Sequence, residues 1–359
     1  MITISLCMIV KNEENVLKRC LDSAKDIVDE IIIVDTGSTD KTKEIAKEYT
    51  DKIYDFEWIN DFSAARNYAF SKATMDYQLF LDADDIFPEE SISVIKQLKK
   101  DITPDIDLVT MKYVTHFDDQ GNPSFIATRE RLFKRSVGYL WEDPIHEVIP
   151  IRGKVLSTDI CVHHKKEDYE RTRDRNLNIY LTLEKEGHSF TPRQTYYFAR
   201  ELNDHGQHAK AAYYFELFLA GKQGWKEDNI ASAFNLALIY ERLGHREKIL
   251  PVLTATFAWD SPRPEVCCQL GYYYKNSENY EYALKWFELA LNLPKDNGIL
   301  GFVLPEYEGY IPNLEACVAA YHLGKIELAI AYNEQAATYK ETEAIKINRK
   351  FFEELVGLN

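Results

Sequence analysis

Gln78-Leu79-Phe80-Leu81-Asp82-Ala83-Asp84-Asp85-Ile86 is an apolar run that ends on three carboxylates. The run reads as a buried strand. Three like charges at one strand end raise each other's proton affinity unless a cation intervenes, and a hard divalent ion with oxygen ligands is a natural one. The carboxyl edge of a parallel sheet is also where α/β folds place ligands. An acidic turn after a strand is equally a common solvated cap, so the neighbouring segments decide.

Upstream, strand and helix patterns alternate. Ile2 to Val10 reads as a strand, Glu14 to Lys25 as an amphipathic helix with Val16, Leu17, Cys20 and Leu21 on one face, and Glu30 to Val34 as a second buried strand. A Gly-containing turn, Asp35 to Asp40, leads into an N-capped helix through Tyr49. A third strand around residues 52 to 56, a helix opening at Asp61 to Asn67 and a strand from Tyr77 to Leu81 complete a βαβαβαβ pattern. Continuous apolar strands separated by helices predict a mostly parallel sheet covered on both faces, with right-handed crossovers.

The strand ends supply candidate ligand groups. Asp35 closes the second strand, and the turn after it offers hydroxyls and backbone N–H groups suited to a nucleoside or phosphate. Arg66 and Asn67 stand near a helix start, where a guanidinium pairs with a diphosphate in bidentate fashion. Taken singly, Asp35 reads more simply as a capping residue and Arg66 as a solvated surface cation. No Gly-x-Gly-x-x-Gly follows the first strand and no Gly-Lys-[Ser/Thr] loop is present, so neither a dinucleotide fold nor a P-loop is supported and any nucleotide is held another way.

Four segments in order resemble the family 2 glycosyltransferases of the GT-A fold: Ile9-Val10-Lys11-Asn12-Glu13-Glu14, Val34 to Asp40, Asn60 to Asn67, and Leu81-Asp82-Ala83-Asp84. The resemblance covers roughly residues 1 to 165 and is closest to the bacterial branch of lipooligosaccharide β-1,4-glucosyltransferases and sublancin-type peptide S-glycosyltransferases. It implies a UDP-sugar donor and Mg²⁺ or Mn²⁺. It also implies that Asn12, Glu13, Asp35, Arg66, Asn67 and Asp82 serve the donor, with Asp35 at the base or ribose and Asp82 at the ribose or sugar, and that Asp84 binds the metal. A metal clamp on the departing diphosphate offsets its developing charge.

Ile106 to Thr115 reads as a strand, and Arg129 to Arg135 as a basic patch whose simplest reading is a solvated edge strand. Beside a UDP-sugar, Arg129 or Arg131 would neutralise phosphate charge. Inverting transfer needs one general base near the acceptor, and Trp141 to Glu147 offers three candidates. Glu142-Asp143 fits the family's frequent Glu-Asp pair, whereas His146-Glu147 fits the branch's His-Glu pair. After a strand over Asp159 to Val162, the resemblance implies that His164, more than His163, completes the metal shell; imidazole with carboxylate oxygens suits Mn²⁺ as well as Mg²⁺.

Beyond Tyr169 strand signals vanish and Tyr, Ala and Leu recur at helical spacing. Leu270, Gly271, Tyr274, Ala283, Phe287, Ala290 and Pro294 resemble the tetratricopeptide pattern. Ala211, Ile249 and Ala329 stand where Ala283 does in weaker copies, with Gly206, Gly244 and Gly324 five residues earlier and Glu278 in the best copy. Small residues, Ala199, Ala237, Gly271 and Cys317, recur twelve residues before each. The step from Ile249 to Ala283 equals the repeat's period of about 34 residues, and the longer last step fits an inserted loop around Asp296 to Pro312. About four such hairpins make a short solenoid.

The expected organisation is a catalytic domain over 1–166, a connecting helix over 167–190 and helical repeats over 191–359. A net charge of −15 argues against a nucleic-acid partner. No apolar run is long enough for a membrane helix, the start lacks a signal peptide, and six cysteines without Cys-x-x-Cys spacing read as reduced thiols of a cytoplasmic protein. The expected function is inverting, metal-dependent transfer of a hexose or N-acetylhexosamine to a peptide, protein or glycan. The repeats would hold the acceptor or a second copy. The alternatives are a tetratricopeptide scaffold with an inactive nucleotide-sugar domain, and a haloacid-dehalogenase-type phosphatase, which Ile86 fits poorly.

Overall fold

The computed structural model describes residues 1–118, 121, 123–165, 174–294 and 302–357. It divides into two compact units, Met1–His188 and Ser189–Asn359. The expected domain end at residue 166 and the first part of the expected loop, 296–301, lie outside the described residues.

The first unit begins with β1 (Ile4–Val10), α1 (Leu17–Ala24), β2 (Glu30–Asp35), α2 (Thr42–Lys47), β3 (Ile53–Asp55), α3 (Phe62–Ser71) and β4 (Tyr77–Phe80). These four strands pair in parallel in the order β3-β2-β1-β4, which is the alternation the sequence predicts. Successive side chains of a strand face opposite ways. Leu6, Met8, Leu79 and Leu81 accordingly pack with α1 on one face, and Cys7, Val34 and Phe80 with Phe70 and Trp141 on the other. α1 starts later than the sequence pattern suggests, because Val16 and Leu17 still close a turn onto the Glu13 carbonyl.

The chain continues through β5 (Asp85–Ile86), α4 (Glu89–Asp101), β6 (Leu108–Phe117), β7 (Pro123–Lys134), β8 (Val155–His164) and α5 (Arg175–Lys185). The sheet order extends as β4-β7-β6-β8-β5, with β7 antiparallel to both neighbours and β6 parallel to β8. The mostly parallel first half with this continuation is the GT-A nucleotide-sugar arrangement. One expectation is overturned: β7 is an interior strand, and Arg131 on it is 1% exposed.

Glu30 anchors the amino end of β2 from inside the fold. Its buried carboxylate accepts from Ser5, Lys52 and the Thr74 N–H and hydroxyl, the last two at 2.9 Å. Burial alone would raise its pKa, but these donors outweigh it and hold the group down to about 2. A depressed carboxylate contributes stability that is complete above its unfolded value near 4.5 and lost as pH falls toward about 2. Glu30→Gln is therefore expected to cost about 3 kcal/mol at neutral pH, and to flatten the acid limb of a denaturation series between pH 4.5 and 2. Equal stability of the two proteins at pH 7 would contradict this.

The second unit is helical: α6 (Pro192–Asp204), α7 (His208–Gly221), α8 (Lys226–Leu243), α9 (Arg246–Ala255), α10 (Pro264–Lys275), α11 (Tyr280–Asn292), α12 (Tyr310–His322), α13 (Ile326–Ala337) and α14 (Glu343–Gly357). α6 packs with α7, α8 with α9, α10 with α11 and α12 with α13. The same turn joins each pair. Gly206, Gly244 and Gly324 have positive φ, and the next N–H reaches back to Leu202, Tyr240 and Ala320 at 2.8, 2.8 and 3.0 Å. Glu278 takes the same left-handed conformation (φ 57°) with Asn279 bonded to Tyr274 at 3.0 Å, so the best-matching copy repeats the turn without its glycine. At the close crossing in this pair, a Cβ on Gly271 would meet the Phe287 ring at 2.4 Å. No helix among the described residues is long and apolar enough to cross a membrane, and all six cysteines are free thiols.

Candidate active site

The carboxyl ends of β1 and β2 are laced into one surface. The Asn12 N–H donates to Ser38 Oγ (2.9 Å) and its Oδ1 accepts from Thr39 N–H (2.7 Å), while Glu13 N–H donates to Thr42 Oγ1 (2.7 Å). Asn12 and Glu13 thus brace the turn that follows Asp35. Asp35 is 1% exposed; its Oδ1 accepts from the Gly37 and Ser38 N–H groups at 2.9 Å, whereas its buried Oδ2 has no hydrogen-bond partner among the described residues. A buried carboxylate oxygen left without a donor is costly, and a ligand N–H or hydroxyl would relieve it.

The acid cluster after β4 divides by burial. The Asp85 side chain is wholly buried: Arg131 pairs with its Oδ2 at 3.0 Å, the Asp82 N–H donates to the same oxygen at 3.1 Å, and the Tyr113 hydroxyl donates to Oδ1 at 3.0 Å. Asp84 keeps about a fifth of its side chain exposed, as does His164. Antiparallel pairing of β5 with β8 sets His164 opposite Asp85, and its Nδ1 lies 3.3 Å from an oxygen of each of Asp84 and Asp85 and 3.0 Å from Tyr113. Burial would lower the His164 pKa, but the hydrogen bonds to Asp84 and Asp85 outweigh it and push the ring up to about 10.

Asp84, Asp85 and His164 offer ligand atoms that lie within 4.8 Å of one another. Asp85 is already neutralised by Arg131, so Asp84 and His164 are the pair open to a hard or borderline divalent ion, with Asp85 and Tyr113 fixing the imidazole from behind. Tyr113 lies within a strand pattern that marks it for no role. Arg131 reaches Asp85 because pairing between β6 and β7 slips from Val109–Leu132 to Thr110–Glu130, leaving Arg131 as the extra residue of a bulge. Its guanidinium lies over the Phe80 and Tyr113 rings, 4.5 and 4.4 Å from their centroids. Arg131 therefore stands behind the acid cluster, 1% exposed and paired with Asp85. Arg129, half-buried on the same strand, is not among the cluster's partners within the described residues.

A second group forms where α3 meets residues 141–148. Arg66, with a side chain 9% exposed, donates from Nε to Glu147 Oε1 (2.5 Å) and from Nη2 to Asp82 Oδ1 (2.7 Å). Burial works against a low pKa for Asp82, yet Arg66 first and Arg131 second hold it well below the carboxylate range. Asn67 exchanges two bonds with the Trp141 backbone, at 3.0 and 2.8 Å, and so clamps a loop. Of the three candidate bases, Glu142 is exposed and closes a two-residue bridge with Val148, Asp143 has a left-handed backbone conformation (φ 72°), and Glu147 is tied to Asp82 through a shared guanidinium.

Residues 5–152 match Glycosyl transferase family 2, and residues 264–297 match a tetratricopeptide repeat. The chain is 38% identical over 149 residues to a TPR repeat-containing protein of Synechococcus elongatus, covering 42% of this chain and 36% of that protein. It is 29% identical over 216 residues to the SPbeta prophage-derived glycosyltransferase SunS of Bacillus subtilis, covering 56% and 49%. It thus spans less than half the length of these relatives. Among solved structures, S. aureus TarS 1-349 aligns over 82% of this chain and 93% of that one with a TM-score of 0.37 at 14% identity. Glucosyl-3-phosphoglycerate synthase from Mycobacterium tuberculosis, in complex with Mn²⁺ and UDP-glucose, aligns over 53% and 81% with a TM-score of 0.35 at 16% identity. The chain carries a Glycosyl transferase family 2 domain in its α/β unit and a tetratricopeptide repeat in its helical unit.

Proposed function

We propose that this chain transfers a hexose or N-acetylhexosamine from a UDP-sugar to a peptide, protein or glycan, with inversion and with Mg²⁺ or Mn²⁺ as cofactor. The observation that carries the reading is the pairing of two carboxylate sets at one sheet edge of a family 2 domain: Asp84 with His164, and Asp82 with Glu147 through Arg66. Asp35, with one buried oxygen lacking a donor, takes a base or ribose N–H or hydroxyl. Asp84 and His164 would hold the ion, which would supply positive charge to offset that of the departing diphosphate. Asp82 faces the ribose or sugar.

Glu147 takes the proton of the acceptor's hydroxyl or thiol as that atom bonds to the anomeric carbon. The bond from that carbon to the diphosphate breaks, and UDP leaves with the electron pair. One in-line displacement of an α-linked donor yields a β product. Because donor chemistry is accounted for within the α/β unit, the helical unit serves acceptor choice or pairing of copies.

The decisive experiment offers a panel of UDP-sugars with Mn²⁺ or Mg²⁺ and follows UDP release, which requires no knowledge of the acceptor. Release of UDP and a β-configured sugar by NMR is expected; an α-configured initial product, or release that ignores the divalent ion, would overturn the mechanism.

A further inference from the structure

Arg66 reads from sequence as a ligand of the diphosphate, yet its guanidinium is committed elsewhere. It is buried, bonded at 2.5 Å to Glu147 and at 2.7 Å to Asp82, and held over the Phe80 and Trp141 rings, 5.1 and 4.9 Å from their centroids. Charge-assisted bonds this short in an apolar cage fix geometry strongly. We propose that Arg66 is a positioning residue that locks Glu147 in register with the donor-side carboxylate Asp82. The proposal rests on the glycosyl-transfer reading above.

The loop bearing Glu147 needs such a lock. Asp143 and His146, neither of them glycine, have φ of 72° and 52°, conformations that L-residues rarely adopt and that surrounding contacts must impose. The start of α3 supplies several contacts to this loop, and the Tyr180 ring stacks on His146. Ser63 donates to the Asp143 carbonyl, Phe62 N–H to the Pro144 carbonyl at 2.9 Å, and Asn67 clamps Trp141. In this helix Arg66 alone bonds both to the loop and to the residue that ends the β4 run. The planar fork matters because one guanidinium spans two carboxylates, which an ammonium does poorly.

The test compares Arg66→Met, Arg66→Lys, Glu147→Gln and the Arg66→Met/Glu147→Gln double variant in the full chain, with UDP-glucose and UDP-N-acetylglucosamine hydrolysis and UDP–Mn²⁺ binding as probes. Arg66→Met is expected to lower kcat about 100-fold while KM and UDP affinity stay within about threefold, since misplacement of a reacting group acts on turnover. The double variant should lose no more than the worse single variant, because the two residues act as a unit. Arg66→Lys, the substitution that best preserves the fold, should lie between wild type and Arg66→Met. A tenfold or greater loss of UDP affinity in Arg66→Met would restore the diphosphate role and overturn the proposal, as would multiplicative losses in the double variant.

Hydrogen exchange across residues 141–148 separates failure of this proposal from failure of the functional reading. Exchange there should rise about tenfold in Arg66→Met with β1 and β4 unchanged. Unchanged exchange refutes positioning whatever the activity, whereas faster exchange in a protein that hydrolyses neither sugar sinks the functional reading and leaves the lock standing.

Discussion

Asp84→Ala is expected to abolish Mn²⁺-dependent UDP binding and to lower UDP-sugar turnover roughly a thousandfold, and a chelator should do the same to the unaltered protein. The size of the effect follows from how few groups are open to an ion. Among the described residues, one cluster of three side chains offers ligand atoms close enough together, and one of the three, Asp85, is already matched by Arg131. Removing Asp84 leaves His164 without its exposed carboxylate partner and the diphosphate without its counter-charge. Asp85→Asn provides the contrast. It strips a buried guanidinium of its anion, a change that costs about 3–5 kcal/mol of stability, so its signature is a lowered melting temperature with or without metal. Calorimetry of UDP with and without chelator decides; unchanged affinity in both the chelated protein and Asp84→Ala would refute a metal-bridged diphosphate.

The order β3-β2-β1-β4 was legible because each strand is a continuous apolar run bounded by a helix, a pattern that depends on neighbours only through burial. β7 was not, since Arg129-Glu130-Arg131 alternates charges as a solvent-facing strand does. Its burial is made tolerable by Asp85, 46 residues earlier in the chain, and by a bulge that no local pattern announces. The same distance problem hid Arg66. Its helix was legible, but its two partners lie 16 and 81 residues away, so charge type suggested a phosphate where the fold supplies carboxylates. Tyr113 escaped notice inside a strand pattern, where a tyrosine reads as packing; only the pairing of β6 with β8 brings its hydroxyl to His164. In the helical unit, the glycines before Ala211, Ile249 and Ala329 marked the turns correctly. Glu278 shows that the tight turn outlasts its preferred residue.

Glu147→Gln is expected to lower turnover by about 10²–10⁴-fold while leaving the fold and UDP–Mn²⁺ binding intact. The amide keeps the side chain's shape, and its oxygen still accepts from Arg66 Nε, so the lock on the loop survives. What is lost is a carboxylate able to take a proton. Glu147 accepts from Arg66 through Oε1, and among the described residues Oε2 accepts no hydrogen bond, which leaves that oxygen to face the acceptor. The other two candidates are not bonded to the Arg66 guanidinium: Glu142 is exposed at the bridge with Val148, and the Asp143 backbone carbonyl accepts from Ser63. Glu142→Gln and Asp143→Asn should therefore stay within about threefold of the unaltered protein, as expected of residues that do not act in the transition state. Measured turnover of a UDP-sugar by the three variants assigns the base. A large loss in Glu142→Gln or Asp143→Asn, with Glu147→Gln near normal, would move the base to the Glu-Asp pair and leave Glu147 as no more than the counter-ion of Arg66.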